Sequence, residues 1–174
     1  AVVFDDEELQ VIPPHRSEER VAQVLKTVVE KNHALHAGSE TRPNPEMFNQ
    51  ALQRMASLAR HDCLVCLIGD GFGIDGETRK YVTRLTEHND VISVFIYDPL
   101  EQAMPAAVRL VFSDGFSQLE FNTSERALRV AYGNDFQNRV ERMQSTSRRH
   151  AIPLLPVHTA APVLEQVRAK LGQH

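Results

Sequence analysis

Acidic and glycine residues are concentrated in the segment at 69–76, Gly-Asp-Gly-Phe-Gly-Ile-Asp-Gly, which directly follows an apolar run at 63–68. Asp70 stands between two glycines, which let the backbone turn sharply and leave its carboxylate uncovered. Such a carboxylate can bind a cation such as Mg²⁺, which prefers oxygen ligands, or it can cap its own loop by accepting backbone hydrogen bonds. Both roles stay open for Asp70, and it is the first candidate for a functional residue.

The same loop also matches the G-x-G-x-x-G pattern of dinucleotide-binding sites, through Gly71, Gly73 and Gly76. Asp98 ends the next predicted strand, where an acid that binds ribose would belong. Against this interpretation, the loop's own aspartates place negative charge where a pyrophosphate would lie at the start of a helix. An NAD-type enzyme is therefore the alternative function.

Other residues with chemical potential have simpler explanations. Cys63 and Cys66 are three apart in a predicted strand and point to opposite faces, so one metal or one disulfide cannot easily take both. His33 and His36 share a helical face without a third ligand nearby in sequence. His158, just after the last predicted strand, can reach the same sheet edge as the aspartates. A Ser-His-Asp set of a hydrolase is not evident, which argues against a hydrolase.

Composition narrows the class of protein. The chain has 174 residues, 42% hydrophobic and 24% charged, which predicts a single globular domain over 1–174. The net charge of −4 and the scattered basic residues argue against a nucleic-acid partner. Because no apolar stretch approaches the roughly 20 residues that span a bilayer, we expect no membrane insertion. The thiols and the lack of a signal peptide favour the cytoplasm.

Alternating strands and helices must position the loop. The apolar run at 64–68 predicts a strand buried on both faces inside a parallel sheet, and the run at 91–97 predicts its parallel neighbour after a crossover helix. Asp114-Gly115 favours a hairpin inserted near 108–121, and prolines in the last strand place it at an edge. The other predicted elements are two short strands within 1–12, helices at 17–36 and from 47, a long helix at 124–150 and a closing helix at 162–172.

Several segments together resemble the bacterial family named domain of unknown function fifty-eight. They are Phe4, Ile12-Pro13-Pro14, Leu67-Ile68-Gly69-Asp70, Val94 to Glu101, and Phe121-Asn122-Thr123-Ser124. The resemblance implies an α/β, Rossmann-like fold of the von Willebrand factor A type, with three layers: a mostly parallel sheet and helices on both faces. It also implies a protein-protein interaction module without enzymatic activity. Such a module would work with a MoxR-type AAA+ ATPase in the assembly or maturation of other proteins, either in the cytoplasm or at the cytoplasmic face of a membrane.

The resemblance further implies a metal-ion-dependent adhesion site at the carboxyl edge of the sheet. Asp70 matches one ligand of that site and Thr41 lies in the loop of another, but the Asp-x-Ser-x-Ser element has no counterpart. Mg²⁺ needs about six oxygen ligands, so we expect this remnant site to hold no metal. The edge itself, with Asp70, Asp75, Asp98 and His158, is the predicted partner-binding surface.

The resemblance implies that residue 1 falls on the second strand of that fold, so we expect the first strand and helix of the fold to be missing from the given residues. Their loss would leave two neighbouring strands with unpaired backbone groups. We therefore expect either that the strands beginning at residues 1 and 63 close up directly, or that two copies of the chain form a homodimer across the gap.

Overall fold

A computed structural model of the chain describes residues 1–34, 42–103, 105, 109–113, 118–122 and 125–172. In chain order the elements are β1 (Val2–Phe4), β2 (Leu9–Val11), α1 (Glu18–Ala34), α2 (Glu46–Leu58), β3 (Leu64–Gly69), α3 (Gly76–Thr86), β4 (Asp90–Tyr97), α4 (Pro99–Gln102), β5 (Arg109–Ser113), β6 (Gln118–Asn122), α5 (Arg126–Arg149), β7 (Leu154–His158) and α6 (Val163–Leu171).

The central element is a parallel sheet in the order β3-β4-β7, flanked by helices. Val65 lies beside Val91 across the first pair of strands, and Ser93 lies beside Leu154 across the second. The predicted α/β class, with parallel strands joined by a crossover helix, is confirmed. Among the described residues the last strand, β7, pairs with β4 alone, so it lies at an edge as its prolines predict. The carbonyl of Pro153 faces β4, where it accepts the N–H of Ser93. Because the backbone groups of successive residues alternate in direction, Pro156 places its missing N–H on the side away from β4.

The prediction that residues 64–68 form an interior strand buried on both faces is wrong. Within the described residues β3 pairs with β4 alone, so it is an edge strand. Val65 is 3% exposed, but Leu64 and Ile68, on the opposite side of the strand, are 68% and 61% exposed. An apolar run indicates a strand but not how many neighbours the strand has, and this limit of the pattern caused the error.

The buried face of the sheet is covered in two halves. Near the start of the strands, α2 and α3 pack on Val65 and Val91 through Leu52 and Leu85. Near their carboxyl ends, α5 packs on Phe95 through Phe136 and Met143, and the rings of Phe95 and Phe136 lie 6.1 Å apart. Because Phe95 is 2% exposed and sits below the carboxyl end of β4, the position of the site loops depends on this second cluster.

The described residues also form two antiparallel hairpins, separate from the parallel sheet. The first, β1-β2, turns at Asp5, whose Oδ1 accepts the backbone N–H groups of Glu7 and Glu8, so the predicted acidic turn is confirmed. Lys31 of α1 donates to Asp5 at 2.7 Å and to Glu8 at 2.9 Å, which ties the hairpin to the helix. The second, β5-β6, confirms the insertion predicted near 108–121, although its turn at 114–115 lies outside the described residues.

The prediction that strands β1 and β3 close up directly is wrong for the described residues, in which β1 pairs only with β2. The helix α2 contacts both regions: Phe48 lies 6.3 Å from Phe4 of β1, while Leu52 packs in the cluster that includes Val65 of β3. The two strands are therefore connected through a shared helix and not through backbone hydrogen bonds. In the described part of the chain no helix has the length and apolar character needed to cross a membrane.

Candidate functional site

The carboxyl edge of the sheet, where β3, β4 and β7 end at Gly69, Tyr97 and His158, carries the residues that the sequence singled out. Asp70 follows β3, Asp98 follows β4, and His158 is the last residue of β7. The parallel register therefore brings these three to one edge, in the order of the strands. Thr41, the weaker metal-ligand candidate, lies outside the described residues.

Two glycines of the loop after β3 are fixed by packing. Gly71 has φ +75° and Gly73 has φ +81°, which are left-handed conformations that favour glycine. A Cβ on Gly71 would overlap the side chain of Met143 in α5, and a Cβ on Gly73 would overlap the carbonyl oxygen of Pro45 at the start of α2. The loop is therefore held between two helices, and both glycines are needed to let protein atoms approach closely.

Asp70 is exposed and closes a tight turn with its own loop. Its Oδ1 accepts the backbone N–H of Phe72 at 3.0 Å. This bond fixes the carboxylate relative to the backbone, and the Phe72 side chain remains 50% exposed beside it. Asp70 therefore caps its own loop, which is one of the two roles considered for it. The same turn fixes the position of the carboxylate and leaves the aromatic ring of Phe72 exposed two residues later.

Asp98 forms the same kind of turn at the end of the neighbouring strand. Its Oδ1 accepts the backbone N–H of Leu100 at 2.8 Å, and the Leu100 side chain is 62% exposed. The hydroxyl of Thr159 donates to Oδ2 of Asp98 at 2.6 Å. These two hydrogen bonds lower the pKa of Asp98 below its ordinary value, and the bond from the Thr159 hydroxyl has the larger effect. Asp98 is therefore held as an anion by bonds to both α4 and the segment after β7.

Asp75 occupies the N-terminus of α3. Its Oδ1 accepts the backbone N–H groups of Glu77 at 2.8 Å and Thr78 at 3.0 Å, and the Thr78 hydroxyl accepts the N–H of Asp75, which completes a capping box. The pKa of Asp75 is lowered most by the hydrogen bond from the Thr78 N–H and next by the hydrogen bond from the side chain of Asn49. A bound phosphate would need these same N–H groups. The anion position of α3 is thus already filled by the protein's own carboxylate.

His158 sits against the ring of Tyr97, with the two ring centres 6.0 Å apart. Its backbone N–H donates to the side chain of Gln166 at 3.0 Å, and its Nδ1 is buried without a hydrogen-bond partner among the described residues. No bond joins its ring to Asp98 in the hydrogen bonds of those residues. His158 and the aspartates therefore lie at the same edge of the sheet, but the described hydrogen bonds do not join His158 to Asp98 as an acid-base pair.

The fixed position of α4 depends on an ion pair that the sequence did not reveal. Glu101 accepts the backbone N–H of Asp98 at 2.8 Å with one oxygen and binds the guanidinium group of Arg139 in α5 with the other. Arg139 also lies over the ring of Phe136, 5.4 Å from its centre. The turn after β4 is thus connected to the same helix that holds the loop after β3.

Sequence reasoning also missed Phe72, Leu100 and Thr159 as members of the edge. Phe72 and Leu100 each follow an aspartate by two residues, directly after an apolar strand. That repeated Asp-x-apolar spacing was a usable signal. A metal site is not evident, since the described residues contain no cluster of three or more His, Cys, Asp or Glu side chains suited to hold an ion.

A family model described as "Protein of unknown function DUF58" matches residues 1–144. The chain belongs to the DUF58 family. The DUF58 match spans the first hairpin, the strands β3 and β4 and most of α5, so it includes Asp70, Asp75 and Asp98, while His158 lies beyond it. Comparisons with curated proteins and with solved structures found no significant match.

Proposed function

We propose that this chain is a non-enzymatic protein-protein interaction module that binds its partner through the carboxyl edge of the sheet. The proposed surface consists of Asp70, Asp75, Asp98 and His158, as the sequence predicts, together with the exposed side chains Phe72 and Leu100. The proposal also includes a location of the protein in the cytoplasm.

The observation that carries this proposal is the repeated turn. Asp70 and Asp98 each accept the N–H of the residue two positions on, and that residue, Phe72 or Leu100, exposes half or more of its surface. Exposed aromatic side chains such as Phe72 are enriched in protein interfaces, and a few residues contribute most of the binding energy of an interface. Since both turns are already ordered by packing and hydrogen bonds, binding would cost little further conformational entropy.

The family resemblance supplies the class of partner, a MoxR-type AAA+ ATPase that assembles or matures other proteins. It also implies the von Willebrand factor A-like arrangement, in which this edge is the binding surface. In a complete site of that type a divalent cation held partly by Asp70 and Thr41 would take an acidic side chain of the partner. With the remaining ligands missing from this sequence, we propose that apolar contacts and the fixed carboxylates provide recognition here.

The geometry gives little support to the alternative, an NAD-type enzyme. Gly71 and Gly73 approach Met143 and Pro45 instead of leaving an open cradle for a pyrophosphate, and Asp75 already takes the N–H groups at the start of α3. Asp98, the proposed ribose-binding acid, accepts bonds from Leu100 and Thr159.

A capture experiment tests the proposal. The chain is immobilised and exposed to a purified MoxR-type ATPase from the same organism. The wild type is compared with Asp70→Asn and Phe72→Ser. Leu171→Ser in the last turn of α6 is the matched control, because Leu171 is 54% exposed and Phe72 is 50% exposed. We expect capture by the wild type and by the control, and reduced capture by the two edge variants. Equal capture by all four proteins would contradict the proposal.

A further inference from the structure

A continuous groove runs along α5, on the side that faces α3 and the loop after β3. One part of it, with a volume of about 590 Å³, is lined by Phe72 and Tyr132. The next part, of about 800 Å³, is lined by Arg79 and Arg149. Both parts share a middle stretch lined by Ile74, Asp75, Asp135 and Arg142. The groove therefore begins beside the proposed binding surface, at Phe72, and continues away from it along the helix.

The length of the groove matches a short extended peptide. The residues of α5 that line it include Asp135, Asn138, Arg142, Ser145 and Arg149, which recur every three or four positions and so share one face of the helix. From Tyr132 to Arg149 the helix rises by about 26 Å, at about 1.5 Å per residue. An extended chain covers that distance with about eight residues, at about 3.3 Å per residue.

The charges of the groove differ between its two ends. Beyond the shared stretch, the described residues of the part near Arg149 provide two arginines, Arg79 and Arg149, and one acid, Glu141. In the part of the chain that the structure describes, the guanidinium groups of Arg79, Arg142 and Arg149 take part in no ion pair or side-chain hydrogen bond, although all three residues are exposed. By contrast, Arg139 at the other end is already paired with Glu101. Free guanidinium donors are thus concentrated away from Phe72.

We infer that this groove binds an extended acidic segment of the protein partner. An apolar side chain of the segment contacts Phe72, and its carboxylates bind Arg79, Arg142 and Arg149. The inference rests on the proposed function, because Phe72 belongs to the proposed binding surface. A guanidinium group can bind a carboxylate through two parallel hydrogen bonds, which favours arginine in this role. The uneven charge of the groove then fixes the direction in which the segment lies.

A single phosphate group fits this groove less well than a peptide does. Arg142 and Arg149 are seven residues apart, and the helix rises by about 10 Å between them, which exceeds the size of one phosphate. Asp135 and Glu141 also line the groove among the arginines, and they would repel a compact polyanion. A peptide can carry its carboxylates at the arginines and uncharged residues at the two acids.

The first test uses a fluorescent peptide of about eight residues, with a phenylalanine near one end and glutamates in the other half. Fluorescence anisotropy measures its affinity for the chain, and a peptide with lysines in place of the glutamates is the control ligand. We expect the wild type to bind the acidic peptide and not the basic one. Arg142→Glu and Arg149→Glu should each weaken binding about tenfold, because attraction is replaced by repulsion.

Arg148→Glu is the matched control variant. Arg148 is exposed and lies beside Arg149 in the last turn of α5, so both substitutions remove a cation from the same helix end. Arg148 does not line the groove, and the affinity for the peptide should therefore stay at the wild-type value. Circular dichroism and thermal melting check that all the variants fold like the wild type.

Three results of the peptide measurements would overturn the inference. The first is that the wild type fails to bind the acidic peptide. The second is that Arg148→Glu loses as much affinity as Arg149→Glu, which would show an effect of overall charge. The third is displacement of the peptide by an equal concentration of pyrophosphate, which would identify a site for small anions instead of a peptide groove.

A parallel measurement with a purified MoxR-type ATPase separates this inference from the proposed function. If the ATPase binds the wild type, Arg142→Glu and Arg149→Glu should weaken its binding, as Phe72→Ser does. Loss of binding in Phe72→Ser alone would leave the carboxyl edge as the binding surface and reject the groove. An ATPase that does not bind the wild type would contradict the proposed partner, and the peptide measurements would still decide whether the groove binds an acidic segment.

Discussion

The backbone N–H of Phe72 donates a 3.0 Å hydrogen bond to the carboxylate of Asp70. This bond joins the acid that the sequence marked as a site to an aromatic side chain that the sequence did not mark. It allows the structural role and the proposed binding role of Asp70 to be tested separately, because asparagine retains the acceptor oxygen but not the charge.

Replacing Asp70 in two ways should separate those roles. Asp70→Ala removes the acceptor of the Phe72 N–H and should lower the free energy of unfolding by about 1 kcal/mol. Asp70→Asn keeps the turn and should change the free energy of unfolding by less than about 0.5 kcal/mol. Urea unfolding measures both values. Equal destabilisation by the two variants would show that the charge, and not the turn, stabilises the loop.

Gly73→Ala should destabilise the fold, because a non-glycine residue at φ +81° costs about 1–2 kcal/mol and its Cβ would overlap the carbonyl oxygen of Pro45. Gly76→Ala is the matched control from the same glycine pattern. A Cβ on Gly76 meets nothing within 4 Å, and alanine in the first turn of α3 should be neutral or stabilising by up to about 1 kcal/mol.

Thermal melting of the two glycine variants gives the comparison directly. If both melted together with the wild type, the loop would not be held against α2 as the geometry requires. Glycine at position 73 would then not be required for the close approach of Pro45.

Asp75 should make the stability of the chain depend on acid pH. The pKa of Asp75 in the folded chain is below its ordinary value of 3.8. The charge of Asp75 therefore contributes fully to the stability of the fold above pH 3.8. This contribution is lost as the pH falls from 3.8 through the lower pKa of the folded chain. Asp75→Asn still caps α3 but does not titrate. The stability difference between wild type and Asp75→Asn should therefore shrink as the pH falls from about 5 to about 2.

Unfolding by urea at a series of pH values measures that difference. The wild type should lose more stability than Asp75→Asn over this range. Parallel curves for the two proteins would mean that the charge of Asp75 is not favoured by the capping bonds.

Titration with NAD should give no binding signal, since Asp75 already accepts the N–H groups that a pyrophosphate would need. Isothermal calorimetry on the wild type and on Asp75→Ala makes the test specific. Binding by the wild type would revive the NAD-type enzyme. Binding by Asp75→Ala alone would show that the capping carboxylate is what excludes the phosphate.

The sequence predicted the parts of the fold that depend on local pattern. Apolar runs closed by glycine or proline marked β3, β4 and β7, and the acidic turn at Asp5 marked the first hairpin. These signals are local because chain turns and strand propensity depend on a few neighbouring residues. The position of β3 at an edge could not be predicted in this way, since it depends on which other segments reach it.

The candidate site was predicted in location but not in detail. Strand order brings Asp70, Asp98 and His158 to one edge, and that follows from parallel topology. The role of each acid depends on its hydrogen bonds, such as the one from Thr159 to Asp98, which joins residues far apart in sequence. The close approaches of Met143 and Pro45 to the glycine loop are likewise tertiary contacts that spacing alone does not encode.

The most direct test of the proposed docking edge is the affinity of the chain for its proposed partner, a MoxR-type ATPase, measured by calorimetry or surface plasmon resonance. Phe72→Ser and Leu100→Ser should each weaken binding about tenfold, equivalent to about 1.4 kcal/mol, while Leu171→Ser should leave it unchanged. Because both side chains are exposed, the variants should melt with the wild type. Unaltered affinity in the two folded edge variants, or an equal loss in Leu171→Ser, would contradict the carboxyl edge as the binding surface.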